Sequence, residues 1–535
     1  MGELKWSVVL DNGVTFSGTV PGEGVVSIVC ELPAGRIRSV TADMKLNVGG
    51  DDRVFVNGFQ SWTYSPEYSA NDRIRGLKHL PPSGVRHFGL DRYGDNYFVE
   101  YPNKKGVFHG ETYAYIRRGE HYSLTASVDE KPGYTLFQID AGKKTLHLKR
   151  DCDGMKCGGP FHAFDLIFAS GSEDEVFDAW FRAMGVQPRT REKIAGYSSW
   201  YNRYEDIDEE CIRSDLEHAA AYLEPGDVFQ IDDGWEGAVG DWLTPDALKF
   251  PSGMAAAVAQ IHAGGYRAGL WLAPFVAEKD SVLYKEHPGW FFLHEGKPWF
   301  CGCNWSGFYS LDIDHPGVRE YLEKVFHRVF DEWGFDLVKL DFLYGAAPFG
   351  TENESRAGRM IRAMEYLREL CGDKLILGCG VPMAPAFGRV DYCRIGCDVG
   401  LDWDGSWLMQ QTHRERVSTR QSISNTIFRR QLNGRAFLND PDVFFLRRDN
   451  MKMSEEEKRS LAVANTLLGG VWFTSDDMGS YDDEQGAAWR ELRDLRDAEL
   501  IRLDFRGDVT AVFRLNGKEL SQVILPEKTG KKKKS

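Results

Sequence analysis

From Pro188 to about residue 475, short apolar runs alternate with segments whose apolar residues recur at helical spacing. The runs are 196–201, 228–233, 267–273, 336–344, 375–380, 392–398, 436–440 and 471–475. Between them, 208–222, 254–262, 316–333, 352–370, 419–432 and 454–468 read as helices. The last opens on Ser454 with Glu457 three residues on, the pattern of a reciprocal N-terminal cap. Eight strands with crossover helices over roughly 300 residues predict an α/β fold of the (β/α)8 TIM-barrel type. A doubly wound open sheet is the alternative, but no Gly-x-Gly-x-x-Gly follows any of the strands.

The flanks read differently. Residues 25–30, 53–57, 97–101 and 145–149 are strand-like and separated by Gly, Pro, Asn and Asp clusters, which predicts an N-terminal antiparallel β-sandwich. Beyond about residue 498, 500–505 and 509–515 are two more strands, too little for an independent domain. The expected division is an N-terminal β-sandwich domain over 1–185, a catalytic barrel over 186–490, and a short C-terminal β extension with a basic tail over 491–535. The lysines of 528–535 read as a solvated tail.

Charge and cysteine usage narrow the partners. A net charge of −15 argues against nucleic acid and anionic membranes. No apolar run approaches the ~18 residues of a membrane span, and residues 1–13 lack a signal-peptide core. The 10 cysteines form no framework of spacings, which points to reduced thiols and a cytoplasmic location. The abundance of aromatics, 15 Trp, 21 Tyr and 32 Phe, suits a protein that stacks on sugar faces as well as one that packs a large core.

Barrel enzymes place their active sites at the C-terminal ends of the strands. Here those ends carry Asp232-Asp233-Gly234-Trp235, Trp271, Lys339 with Asp341, Cys379, Arg394 with Asp398, and Asn439-Asp440-Pro441-Asp442. Alternation puts Lys339 and Asp341 on one face of the fourth strand, and Arg394 and Asp398 on one face of the sixth. Buried charges are costly unless they pair or perform chemistry. A structural Lys339–Asp341 ion pair is one reading of the fourth strand. The other is a catalytic carboxylate facing Asp398 across the barrel mouth. Two carboxylates flanking a bond form the arrangement of glycoside hydrolysis, with retention of configuration when they lie about 5 Å apart. Lys339 would keep Asp341 ionised, while the negative charge of Asp341 would raise the pKa of Asp398 and hold its proton. Arg394 pulls the other way unless it binds substrate. Asp232 and Asp233 suit sugar hydroxyls, and Trp271 offers a face for a pyranose.

With these residues assembled, the chain resembles the retaining α-galactosidases of glycoside hydrolase family 36, closest to their short bacterial and thermophilic form. The resemblance rests on Asn57-Gly58-Phe59-Gln60-Ser61-Trp62, Ser199-Trp200-Tyr201, Asp232-Asp233-Gly234-Trp235 and Trp271-Leu272-Ala273-Pro274-Phe275. It continues through Lys339-Leu340-Asp341-Phe342, Gly378-Cys379-Gly380, Arg394-Ile395-Gly396-Cys397-Asp398 and Leu438-Asn439-Asp440-Pro441-Asp442. It implies Asp341 as nucleophile and Asp398 as acid/base, with Asp232, Asp233, Lys339 and Arg394 on galactose hydroxyls. Trp271 would stack on the ring, Trp200 and Tyr201 would line the pocket, Cys379 would sit near the 2-position, and Trp62 would reach in from the sandwich domain. No metal or cofactor is implied. The chain departs from the pattern at Gly378-Cys379-Gly380-Val381-Pro382-Met383 and in the loop 399–405. The expected function is a retaining exo-α-galactosidase acting on small oligosaccharides such as melibiose or raffinose. An α-N-acetylgalactosaminidase, an α-galactosyl transglycosylase and a silent sugar-binding protein are the alternatives.

Overall fold

The computed structural model describes residues 2–527; the lysine-rich tail lies outside the described residues. Eight short parallel strands form the barrel: β1 (Ile194–Ser198), β2 (Val228–Ile231), β3 (Arg267–Leu272), β4 (Leu337–Leu340), β5 (Leu375–Gly378), β6 (Tyr392–Arg394), β7 (Leu438–Asp440) and β8 (Val471–Thr474). Seven neighbouring pairs are laddered, β8 lying beside β1. The seam between β7 and β8 is held by the Gly470 N–H donating to the Asn439 carbonyl at 2.7 Å and by a bridge from Phe444 to Thr474. Residues such as Val228, Leu270, Val338 and Ile376 are fully buried, as strands covered on both faces require. The helix at Glu455–Leu468 begins at the reciprocal cap of Ser454 and Glu457.

β4 and β6 stop well before the ends of their sequence patterns. β4 stops at Leu340 because Phe342 adopts a left-handed φ of 51° and Leu343–Ala346 turns into a 3-10 helix. Asp341 stabilises this turn, its Oδ1 accepting the Phe342 N–H at 2.8 Å. The apolar residue that prolongs the alternation, Phe342, instead packs edge-on against Trp62, Trp305 and Phe308. β6 likewise ends at Arg394, so Asp398 sits in the following loop and not on a strand face.

The N-terminal unit is a folded-over antiparallel sheet. Its long strands Gly24–Lys45 and Lys156–Gly171 pair with each other, and the far half of Gly24–Lys45 pairs with Glu3–Leu10 and Thr145–Arg150. Bulges near Cys157 and His162 bend the pair, which lets the two faces enclose Leu4, Val40, Phe137, Leu148 and Phe164. At the other end of the chain, Glu499–Asp504, Val509–Leu515 and Lys518–Leu525 form a three-stranded sheet that buries Phe513 and Ile524 in the barrel core.

One buried guanidinium fastens the sandwich to the barrel mouth. Arg429 donates to Asn57 Oδ1 at 3.0 Å, to the Ser61 carbonyl at 2.7 Å, to Ser65 Oγ at 3.0 Å, and to the Ile395 carbonyl beyond β6 at 3.0 Å. Burial pulls its pKa down to about 10, which leaves it charged at neutral pH. The segment 57–65 is thereby fixed over the barrel, with Trp62 at its tip.

Candidate active site

The strand ends open into a cavity of about 760 Å³ lined by Trp62, Trp200, Tyr201, Asp232, Asp233, Trp271, Lys339, Asp341, Arg394 and Asp398. Of the residues selected from sequence, Cys379 alone does not line it. It lies behind Trp62, whose indole N–H donates to its Sγ at 3.3 Å, and burial pushes the thiol well above its usual pKa. Gly380 permits this approach: it has a left-handed φ of 54°, and a Cβ there would come within 2.9 Å of the Trp62 ring.

Asp341 is held as an acceptor. The Trp271 indole N–H donates to Oδ2 at 3.1 Å, and the Phe342 N–H to Oδ1. Both oxygens of Asp341 thus accept an N–H donor. Lys339, expected to perform that task, has another partner: its Nζ lies 2.9 Å from Asp232 Oδ2. Burial alone would lower the pKa of Lys339, but the carboxylates of Asp232 and Asp341 together raise it and keep the ammonium charged. The reason is the early end of β4, which turns Asp341 away from the strand face that Lys339 shares with β2. Asp232 is further fixed by Gln230 Nε2 at 2.7 Å and Ser198 Oγ at 3.1 Å.

Asp398 has a raised pKa. Burial raises its pKa, the Arg394 guanidinium opposes, Asp442 adds repulsion, and the balance lies at about 6. Of its side-chain surface, 42% faces the cavity, so the push from burial is greatest once substrate displaces the water there. Arg394 is a hub. Its Nη1 donates to Asp398 Oδ1 at 2.7 Å, its Nε to Asp440 Oδ2 at 2.9 Å and its Nη2 to Asp442 Oδ1 at 2.9 Å. Asp442 itself takes a left-handed φ of 73°, held by its N–H donating to Asp440 Oδ1 at 2.9 Å and by Tyr201 Oη donating to its Oδ2 at 2.7 Å.

Asp233 completes the polar wall. Burial raises its pKa to about 6 against hydrogen bonds from Glu236 and Trp305, and the neighbouring Glu236 is pushed well above the carboxylate range by burial and by Asp233. The Trp305 indole N–H donates to Asp233 Oδ2 at 3.0 Å.

Sequence reasoning recorded Asp440 and Asp442 as strand-end acids but gave them no role; their signal was the doublet after Leu438, and their partner Arg394 lay too far away in sequence to be assigned. Trp305 and Tyr93 also line the cavity, and neither carries a strand-end signal in the sequence. Trp305 arrives on an insertion between β3 and β4 built from Val276–Glu278, Phe300–Gly302 and Phe308–Ser310, whose contacts are not periodic. Among the described residues, Asp215, His218 and Asp477 have the mutual spacing of metal ligands. Arg203 and Tyr197 already occupy the Asp215 carboxylate, and none of the three lines the cavity.

The Melibiase family model matches residues 181–366, the stretch from the end of the helix Glu173–Met184 into the helix Arg356–Cys371 that follows β4. The chain is similar to an α-galactosidase of Escherichia coli, 26% identical over 38% of this chain and 29% of the relative. It is also similar to a probable α-galactosidase C of Aspergillus oryzae, 29% identical over 72% of this chain and 50% of the relative. The aligned part thus spans half or less of the length of these curated relatives. Among solved structures, TtGalA, an α-galactosidase from Thermus thermophilus in complex with p-nitrophenyl α-D-galactopyranoside, superposes with a TM-score of 0.74 at 28% identity, covering 96% of this chain and 98% of that one. The GH36 α-galactosidase AgaA of Geobacillus stearothermophilus shares the fold, with a TM-score of 0.59 at 13% identity over 98% and 82% of the two chains. The chain is thus similar in fold to solved α-galactosidases over nearly its whole length, and similar in sequence to the Melibiase model over residues 181–366.

Proposed function

We propose that the chain is a retaining exo-α-galactosidase that removes terminal α-linked galactose by double displacement, with Asp341 as nucleophile and Asp398 as acid/base. The observation that carries this reading is the contrast between the two acids in one cavity. Asp341 accepts N–H donors on both oxygens, whereas Asp398 is pushed to about 6 and so holds a proton at mildly acidic pH. In the first step Asp341 attacks the anomeric carbon while Asp398 passes its proton to the departing oxygen, forming a β-galactosyl ester on Asp341. The ester carries no charge, so one of the repulsions that raised the pKa of Asp398 disappears. Asp398, now ionised, takes a proton from water as that water attacks, and galactose leaves with its original configuration. Asp232, Asp233, Lys339 and Arg394 present acceptors and donors to the hydroxyls, and the Trp271 ring covers the apolar face of the pyranose.

Substrates with poor leaving groups test the acid. For an alkyl α-galactoside, kcat/KM is expected to fall as pH rises through about 6, because the proton that Asp398 must donate is lost there. Asp398→Ala is expected to slow such a substrate by ~10²–10⁴-fold and an activated aryl galactoside much less. Rate profiles of both substrates against pH check this. An alkaline limb unchanged in Asp398→Ala would transfer the acid role to Asp233, whose carboxyl titrates in the same range.

A further inference from the structure

The outer half of the cavity differs in chemistry from its floor. The helix α1 (Pro82–Phe88) buries none of its residues, yet Val85 and Phe88 line the cavity wall, Phe88 being 52% exposed. Across the same cavity, the loop after β6 contributes Leu408, Met409 and Val417, which are 64%, 46% and 51% exposed. Single exposed apolar residues are ordinary, but an apolar wall continuous with a pocket floored by carboxylates is a binding surface.

Several polar side chains of that loop are turned to its own framework. Thr412 Oγ1 donates to the Met409 carbonyl at 2.7 Å, and Arg416 donates to the carbonyls of Asp404 at 3.2 Å and Val417 at 3.3 Å. His413 stacks on Tyr93 with ring centres 5.4 Å apart, and the Glu415 side chain is fully buried. A sugar ring placed here would surrender hydrogen bonds to water and find few replacements, whereas a hydrocarbon would gain by leaving water.

We propose that this outer half is an aglycone subsite for extended apolar chains, so that the chain favours α-galactosides of long-chain alcohols over those of short ones. The proposal rests on the α-galactosidase reading above and names the class of aglycone that its site accepts.

Methyl and octyl α-D-galactopyranoside have leaving groups of similar basicity, so their ratio of kcat/KM isolates binding of the chain. With both below micelle-forming concentration, and with melibiose as a control, the octyl compound is expected to be about 10–100-fold the better substrate, since each buried methylene contributes a few-fold. Val85→Ser and Met409→Ser are each expected to pull the octyl-to-methyl ratio toward one. An octyl galactoside no better than the methyl one, or a ratio unmoved by both substitutions, overturns the subsite. Absence of the octyl advantage together with a dimer that Leu408→Ser dissolves would assign the wall to a second copy of the chain and overturn it as well. Inactivity toward all three substrates would instead overturn the α-galactosidase reading on which the subsite depends.

Discussion

Replacing Asp341 with glycine is expected to lower kcat/KM for an aryl α-galactoside by on the order of 10⁴–10⁶-fold, the scale of losing a covalent nucleophile. The fold should survive, because Asp341 lies beyond the end of β4 and its side chain bonds only to the Phe342 N–H and the Trp271 indole. In the proposed mechanism the gap left by the carboxylate would face the anomeric carbon, so azide entering it should restore turnover and yield β-galactosyl azide. Wild-type activity remaining in the variant, or azide that restores nothing, would count against Asp341.

Arg394→Met is expected to damage stability and catalysis together. The guanidinium is 4% exposed and pairs with Asp398, Asp440 and Asp442, the last two being almost entirely buried. Its removal leaves buried carboxylates without a countercharge, which costs about 3–5 kcal/mol when one partner of a buried pair is lost. A clear drop in the thermal midpoint is expected, and Asp398, freed of the charge that lowers its pKa, should carry the alkaline limb of the pH profile upward. Adding Asp440→Asn and Asp442→Asn to Arg394→Met should recover much of the stability but not the activity. Calorimetry on the two variants reads the first effect and pH-rate profiles the second. A fully stable Arg394→Met variant would show that the three acids do not depend on it.

The architecture was legible in the chain because its signals are local. The alternation of short apolar runs with helical periodicity marks all eight barrel strands, and Ser454 with Glu457 marks a helix start that the structure shows as a reciprocal cap. The selected acids, Lys339, Arg394 and the tryptophans were legible for a related reason, since strand ends of a barrel converge on one mouth. What the sequence could not convey is who pairs with whom. Lys339 sits two residues from Asp341 but reaches Asp232, because the left-handed turn at Phe342 redirects the chain in a way that alternation does not encode. Arg429 lies in a helical stretch and looks like a surface residue, yet it binds Asn57, 372 positions away in sequence. Trp305, α1 and the loop after β6 are insertions and coverings. Their placement depends on packing across the mouth, which leaves no period in the chain.

The central claim is that Asp341 carries the sugar between the two steps. An activated 5-fluoro galactosyl fluoride slows the second step more than the first and should leave the ester in place long enough for peptide mass analysis. The account predicts time-dependent inactivation and a single galactosyl adduct on the peptide containing Asp341. An adduct on Asp398, Asp232 or Asp440, or inactivation with no adduct at all, would contradict it.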